Sequence, residues 1–226
     1  MRRKLKILFV STIVVAVIIG IIFIAEKLLE KNNSGIMDVI DNIVNVDETT
    51  TADPFLLGDD IIKDYLTPNE YSRPGTRLKE VNAIVVHYVG NPGTTAAQNR
   101  NYFENLKDIR TTSASSHYVI GLEGEIIQCV PLNEISYASN NRNQDTIAIE
   151  CCHPDETGQF TTATYKSLVK LAAALCRTYD LDPETGIIRH YDVTGKQCPL
   201  YYVNHEDEWY GFKLAVKAEI DAANTK

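Results

Sequence analysis

The chain has no excess of positive charge: 22 lysines and arginines stand against 30 aspartates and glutamates, a net charge of −8. A protein that neutralises nucleic-acid phosphates needs a basic stripe, so the composition excludes a nucleic-acid partner. Internal repeats and low-complexity blocks are also missing. His205-Glu-Asp-Glu-Trp209 has the opening of a metalloprotease helix but lacks the second histidine four positions on, which removes that reading. Cysteines number five, an odd count. The spacing of Cys129, Cys151, Cys152 and Cys176 leaves open whether any two of them pair.

What is present is an ordinary globular composition, 44% hydrophobic and 23% charged over 226 residues, enough for one core and appendages. The appendage comes first. Ile7 to Ala25 carries no charge, and as a helix it would span about 28 Å, close to the hydrocarbon thickness of a bilayer. Arg2, Arg3, Lys4 and Lys6 precede it, whereas Glu26, Lys27, Glu30 and Lys31 after it cancel, so the N-terminus is expected in the cytoplasm and the rest outside. Phe23, two positions before Ala25, does not suit a signal-peptidase site. The expectation is an uncleaved, single-pass membrane anchor at the cell membrane.

Residues 1–31 are therefore read as cytoplasmic tip and anchor, 32–70 as an extracellular linker, and 71–222 as the folded domain. Within the linker, Ile36, Val39, Ile40, Ile43 and Val44 stand at the spacing of a short amphipathic helix. Asp47 to Pro54 is polar and aperiodic.

In the domain, strand and helix patterns alternate. Ala83 to Tyr88 is a β-branched run, and Thr95 to Lys107 is helical with Thr94 or Thr95 as cap. Ser116 to Ile120 and Glu125 to Val130 flank a Gly121–Gly124 hairpin turn. Thr146 to Cys152 is a strand; Thr161 to Tyr179 is an amphipathic helix with its apolar stripe on Tyr165, Leu168, Val169, Ala172, Leu175, Cys176 and Tyr179. Ile187 and Ile188 form a short strand, and Asp207 to Ala222 a last helix. The predicted fold is a single α/β domain with a central mixed β-sheet flanked by helices, preceded by the transmembrane helix.

Polar residues at the ends of these elements carry the chemistry. His190-Tyr-Asp-Val-Thr-Gly-Lys-Gln-Cys198 places two soft ligands and a lysine on one loop, and His87 closes the apolar run that ends at Val86. A His2Cys set suits zinc, which in hydrolases takes three protein ligands and keeps one position open for water. Glu150 interrupts the apolar strand 146–152; a carboxylate there needs a partner, and beside a metal it is placed to be a general base. Lys196 is close enough to the ligands to face an oxyanion. His117 is expected to be hydrogen-bonded and half-buried, and His153 to lie on the surface or the pocket rim. Adjacent Cys151 and Cys152 are read as small core residues on opposite faces of their strand.

The stretches Ile84-Val-Val-His-Tyr-Val-Gly-Asn91, Ser115-Ser-His-Tyr-Val-Ile-Gly121, Ile147-Ala-Ile-Glu-Cys151 and Arg189-His-Tyr-Asp-Val-Thr-Gly-Lys-Gln-Cys-Pro199 resemble the zinc-dependent N-acetylmuramoyl-L-alanine amidases of the type 2 amidase family. Relatives of that family include the phage lysozyme-type amidases and the peptidoglycan recognition proteins. The resemblance runs from about residue 71 to residue 216. It implies His87, His190 and Cys198 as Zn2+ ligands, Glu150 as the catalytic carboxylate and Lys196 as the residue that stabilises the transition state. It also implies a peptidoglycan substrate, cut by zinc-activated water at the amide between N-acetylmuramic acid and L-alanine. Some members carry a tyrosine where this chain has Ser116, which leaves the base role to Glu150. Two other classes compete: a stem-peptide cysteine peptidase using Cys151 or Cys152 with His190, and a non-catalytic peptidoglycan-binding receptor on the same fold. The anchor would confine any such activity to wall near the membrane, since about 25–50 linker residues reach only about 5–6 Å times the square root of their number.

Overall fold

A computed structural model of the chain describes residues 61–224. The anchor Ile7–Ala25, the amphipathic segment at 34–46 and the polar stretch 47–54 lie outside the described residues. Among the described residues no helix is long and apolar enough to cross a membrane.

Six strands form one sheet. In chain order they are β1 (Ile61–Lys63), β2 (Ala83–Tyr88), β3 (Tyr118–Ile120), β4 (Ile126–Gln128), β5 (Thr146–Cys151) and β6 (Ile187–Arg189), arranged β1-β4-β3-β5-β2-β6. Only the β3–β4 hairpin is antiparallel, so the sheet is mixed as predicted. The central strands β2 and β5 are covered on both faces, which is why they read as near-continuous apolar runs. The unanticipated element is β1, which pairs with β4. It lies inside the segment 32–70 read from sequence as linker, so the folded part starts earlier than residue 71.

Helices cover both faces. α1 (Ala96–Ile109) lies on one, where Ala96 and Phe103 pack with Val119, Ile127 and Cys152. Its start is fixed by a capping box: Thr95 Oγ1 accepts from the Gln98 amide at 3.2 Å, and Gln98 Oε1 accepts from the Thr95 amide at 2.9 Å. α2 (Thr162–Thr178) and the final helix, α6 (Glu206–Asn224), cover the other face with Leu168, Leu171, Leu175, Trp209, Phe212 and Val216 against Ile84, Val86, Ile147 and Ile149. Full burial of side chains of this size stabilises by about 1.5–3 kcal/mol each before entropy is subtracted.

α2 also holds the hairpin turn. Thr161, Thr164 and Ser167 donate hydroxyl hydrogen bonds to the carbonyls of Leu122, Gly121 and Gly124 at 2.7, 2.8 and 2.6 Å. Gly124 has φ +87°, and a Cβ there would meet the Ala163 carbonyl oxygen at 3.0 Å, so the turn requires glycine both for its backbone and for the approach of the helix. Among the described residues, three short α-helices that periodicity could not announce, α3 (Pro183–Gly186), α4 (His190–Thr194) and α5 (Leu200–Asn204), and a 3-10 turn at Asn140–Arg142 complete the fold.

Candidate active site

The register of the parallel strands builds the site. His87 on β2 is the direct neighbour of Glu150 on β5, and β6 pairs with β2 so that chain leaving Arg189 turns at once into His190 at the head of α4. Gly195 ends α4 in the left-handed region at φ +78°, and the chain doubles back to Cys198. The return is clasped by the Tyr191 amide, which donates to the Cys198 carbonyl at 2.9 Å, and by the Cys198 amide, which donates to the Lys196 carbonyl at 2.7 Å.

Three ligand-type atoms from His87, His190 and Cys198 lie within 4.8 Å of one another, and the residues are only 1%, 7% and 2% exposed. His87 Nδ1 is 3.8 Å from Cys198 Sγ and 4.0 Å from Glu150 Oε1. A tetrahedral ion with bonds of about 2.0–2.3 Å separates its ligand atoms by roughly 3.3–3.6 Å, so the cluster has the dimensions of a metal site. It also has atoms in need of a partner: among the described residues nothing hydrogen-bonds to His190 Nδ1 or Glu150 Oε2, both buried, a costly state unless something charged or polar meets them.

The electrostatics agree. Burial holds the His87 imidazole well below the usual histidine range, with His190 and Lys196 adding to the effect; burial lowers His190 too, helped by Lys196. Both rings are therefore neutral at pH 7 and able to offer a lone pair. Burial pushes the Cys198 thiol up to about 12, with Glu150 in the same direction, while the Tyr88 amide and Lys196 oppose. Binding a cation there would release the thiol proton. Burial raises the Glu150 carboxyl to about 8, and Lys196 opposes. The lysine ammonium thus acts on all four groups from an exposed position at the mouth.

The remaining sequence candidates have other partners. His117 is fully buried rather than half-buried: Nε2 donates to the Glu134 carbonyl at 2.9 Å, and Nδ1 accepts from the Ala148 amide at 3.0 Å, which uses both nitrogens. His153 is buried too, at 2% exposure, not on a rim; it rests against the Tyr88 ring at 5.0 Å. Cys151 and Cys152 point to opposite sides of the sheet, into the two apolar clusters. Burial pushes the Cys151 thiol well above its ordinary value and the Cys152 thiol to about 12, the reverse of what a nucleophilic cysteine needs. All five cysteines are free. Of the tyrosines and tryptophan around the loop, Tyr202 and Trp209 are core, whereas Tyr191 is exposed.

Three residues escaped the sequence reading as parts of the site. Arg189 anchors the ligand loop: it donates to Asp192 at 2.8 and 3.1 Å, to Glu206 at 2.6 Å and to the Tyr202 carbonyl at 3.0 Å, and its guanidinium lies 5.4 and 5.5 Å from the Tyr191 and Trp209 rings. Ser139 Oγ and Asn140 Oδ1 touch the far nitrogens of the two histidines. Arg189 was visible as an arginine before a ligand, but Ser139 and Asn140 sit in a polar turn with no local pattern to mark them.

Comparison with known proteins gives the family. Residues 77–200 match the N-acetylmuramoyl-L-alanine amidase family, and the chain belongs to that family. It is 33% identical over 176 residues to N-acetylmuramoyl-L-alanine amidase BlyA of Bacillus subtilis (strain 168), covering 69% of this chain and 46% of that protein. It is 31% identical to N-acetylmuramoyl-L-alanine amidase CwlL of Bacillus licheniformis, with the same coverages. The chain thus spans about half the length of the curated relatives it matches. Among solved structures, a mutant endolysin from Bacillus subtilis superposes with a TM-score of 0.58 at 25% identity, over 69% of this chain and 97% of the other. The catalytic domain of XlyA shares the fold with a TM-score of 0.58 at 24% identity, over 69% and 98%.

The raised Glu150 carboxyl makes a pH prediction for the metal-free protein. Between about 4.5 and 8 the folded state keeps a proton that the unfolded chain has released, so this group's contribution is complete below pH 4.5 and is lost as pH rises to 8. In chelator-treated protein the Tm of Glu150→Gln relative to wild type should climb steadily across that window; a difference independent of pH would contradict the assignment.

Proposed function

We propose that the chain is a zinc-dependent peptidoglycan hydrolase that cleaves the amide between the lactyl group of N-acetylmuramic acid and L-alanine of the stem peptide. The observation that carries this reading is the convergence of His87, His190 and Cys198 with the Glu150 carboxylate beside them; family membership supports the bond and the substrate. Zinc fits the donor set on two counts. Two neutral imidazoles and a thiol are a borderline-soft combination, and His190 Nδ1 is a buried lone pair without a partner. His87, His190 and Cys198 would hold the ion.

When bound, zinc supplies Lewis acidity, which lowers the pKa of water toward neutrality and polarises a carbonyl. The rest falls to the chain's own side chains. Glu150 accepts the proton of the attacking water and later delivers it to the departing alanine nitrogen; its unpartnered Oε2 is the free oxygen for that transfer. Its high proton affinity suits the delivery, and the opposing charge of Lys196 eases the uptake. Lys196 faces the negative charge that builds on the carbonyl oxygen. Arg189 keeps the loop bearing His190, Lys196 and Cys198 in place through Asp192 and Glu206.

The same proposal puts the domain outside the cell membrane on an N-terminal anchor, supported by the uncharged run Ile7–Ala25 and its preceding basic cluster. The peptidase alternative gains nothing from the structure, because Cys151 and Cys152 are packed into apolar clusters where burial raises both thiols.

Digestion of purified peptidoglycan with the zinc-loaded chain, followed by mass analysis, should yield new N-terminal alanine with intact glycan strands. New reducing sugar ends, or cuts within the stem peptide, would contradict the assignment. Glu150→Ala should abolish turnover with zinc content unchanged, and Lys196→Ala should lower the rate on the order of a hundredfold. Fractionated cells should retain the full chain in salt-washed membranes, and a chain that begins at residue 32 should not be retained; salt-soluble full chain would overturn the anchor.

A further inference from the structure

The two candidate ligand histidines are gripped from behind by consecutive residues. His87 Nε2 lies 3.2 Å from Ser139 Oγ, and His190 Nε2 lies 3.1 Å from Asn140 Oδ1. An amide oxygen only accepts hydrogen bonds, so His190 carries its proton on Nε2 and leaves Nδ1 bare. That Nδ1 is a buried nitrogen with no hydrogen-bond partner among the described residues. His87 repeats the pattern: its Nδ1 faces Cys198 Sγ and the Glu150 carboxylate, and its Nε2 is turned to the serine hydroxyl.

The corner that holds both partners is itself rigid. Asn140 sits in the left-handed region at φ +54°, which asparagine tolerates better than most residues. Asn143 Oδ1 accepts from the amides of Ala138 and Ser139 at 3.1 and 2.6 Å. The Arg142 carbonyl accepts from Thr146 Oγ1 at 2.6 Å, which ties the corner to the start of β5, the strand that carries Glu150. Ser139 is 1% exposed.

We infer that Ser139 and Asn140 act as one positioning device: Asn140 presets the tautomer of His190, and the two residues together fix the orientation of both imidazoles, so that each presents Nδ1 to the metal. The inference rests on the proposed metal site and deepens it. Metal-ligating histidines depend on such outer partners, whose removal typically weakens metal affinity by about 10–100-fold.

Asn140→Gly keeps the backbone conformation and removes the acceptor; Asn140→Asp keeps the acceptor. Zinc affinity of the detergent-solubilised full chain, measured by chelator competition, should fall by about 10–100-fold in Asn140→Gly and be rescued in Asn140→Asp. Ser139→Ala should weaken binding in the same range through His87. The cobalt(II)-substituted Asn140→Gly protein should show altered ligand-field bands, a signature that a purely structural role would leave alone. Wild-type affinity and an unchanged cobalt spectrum in Asn140→Gly would overturn the inference while leaving the proposed function standing, provided that wild type binds one zinc per chain. A wild-type chain that takes up no zinc would overturn both.

Discussion

Polar atoms buried beside one another, with more lone pairs than protons to share, set the terms for this part of the molecule. His87, His190, Glu150 and Cys198 are gathered at the ends of strands whose other residues are almost all apolar. A buried donor or acceptor without a partner typically costs about 1–3 kcal/mol, and two atoms in the cluster are in that position. A cation removes the deficit, because neutral imidazoles and a thiolate are what a borderline-soft ion accepts.

The sheet does most of the holding. Parallel pairing of β2 with β5 makes His87 and Glu150 neighbours by register, and the parallel β6 brings His190 to the same sheet end. The turn from His190 to Cys198 is less protected, being short and partly exposed, and Arg189 compensates. Its guanidinium joins Asp192 within the loop to Glu206 at the head of α6 and lies between two aromatic rings. The loop that bears His190 and Cys198 is thus fastened to α6.

How much of this could be read from the sequence depended on whether a residue broke a local pattern. His87 stood out because it ends an apolar run, and Glu150 because it interrupts one; both deviations survive folding because strand alternation is a local property. His190 and Cys198 were visible through their spacing. β1 was not, since three residues beside acidic neighbours carry no period, and it becomes a strand only because β4 offers an edge. Ser139 and Asn140 were invisible for a related reason: a polar turn has the same composition whether it faces solvent or two imidazoles. His153 was read as surface or pocket rim, but it is buried against the Tyr88 ring, a contact that no local pattern announces. The short helices α4 and α5 lie below the length at which periodicity can be recognised.

The central claim is that one divalent ion joins an imidazole from β2 to an imidazole and a thiolate from the loop after β6. X-ray absorption at the zinc edge of the loaded chain tests it most directly. The account predicts one sulfur at about 2.3 Å and two imidazole nitrogens at about 2.0–2.1 Å, with the sulfur contribution lost in Cys198→Ser. A coordination sphere of oxygen and nitrogen alone in the unsubstituted chain, or a sulfur contribution that survives in Cys198→Ser, would contradict it.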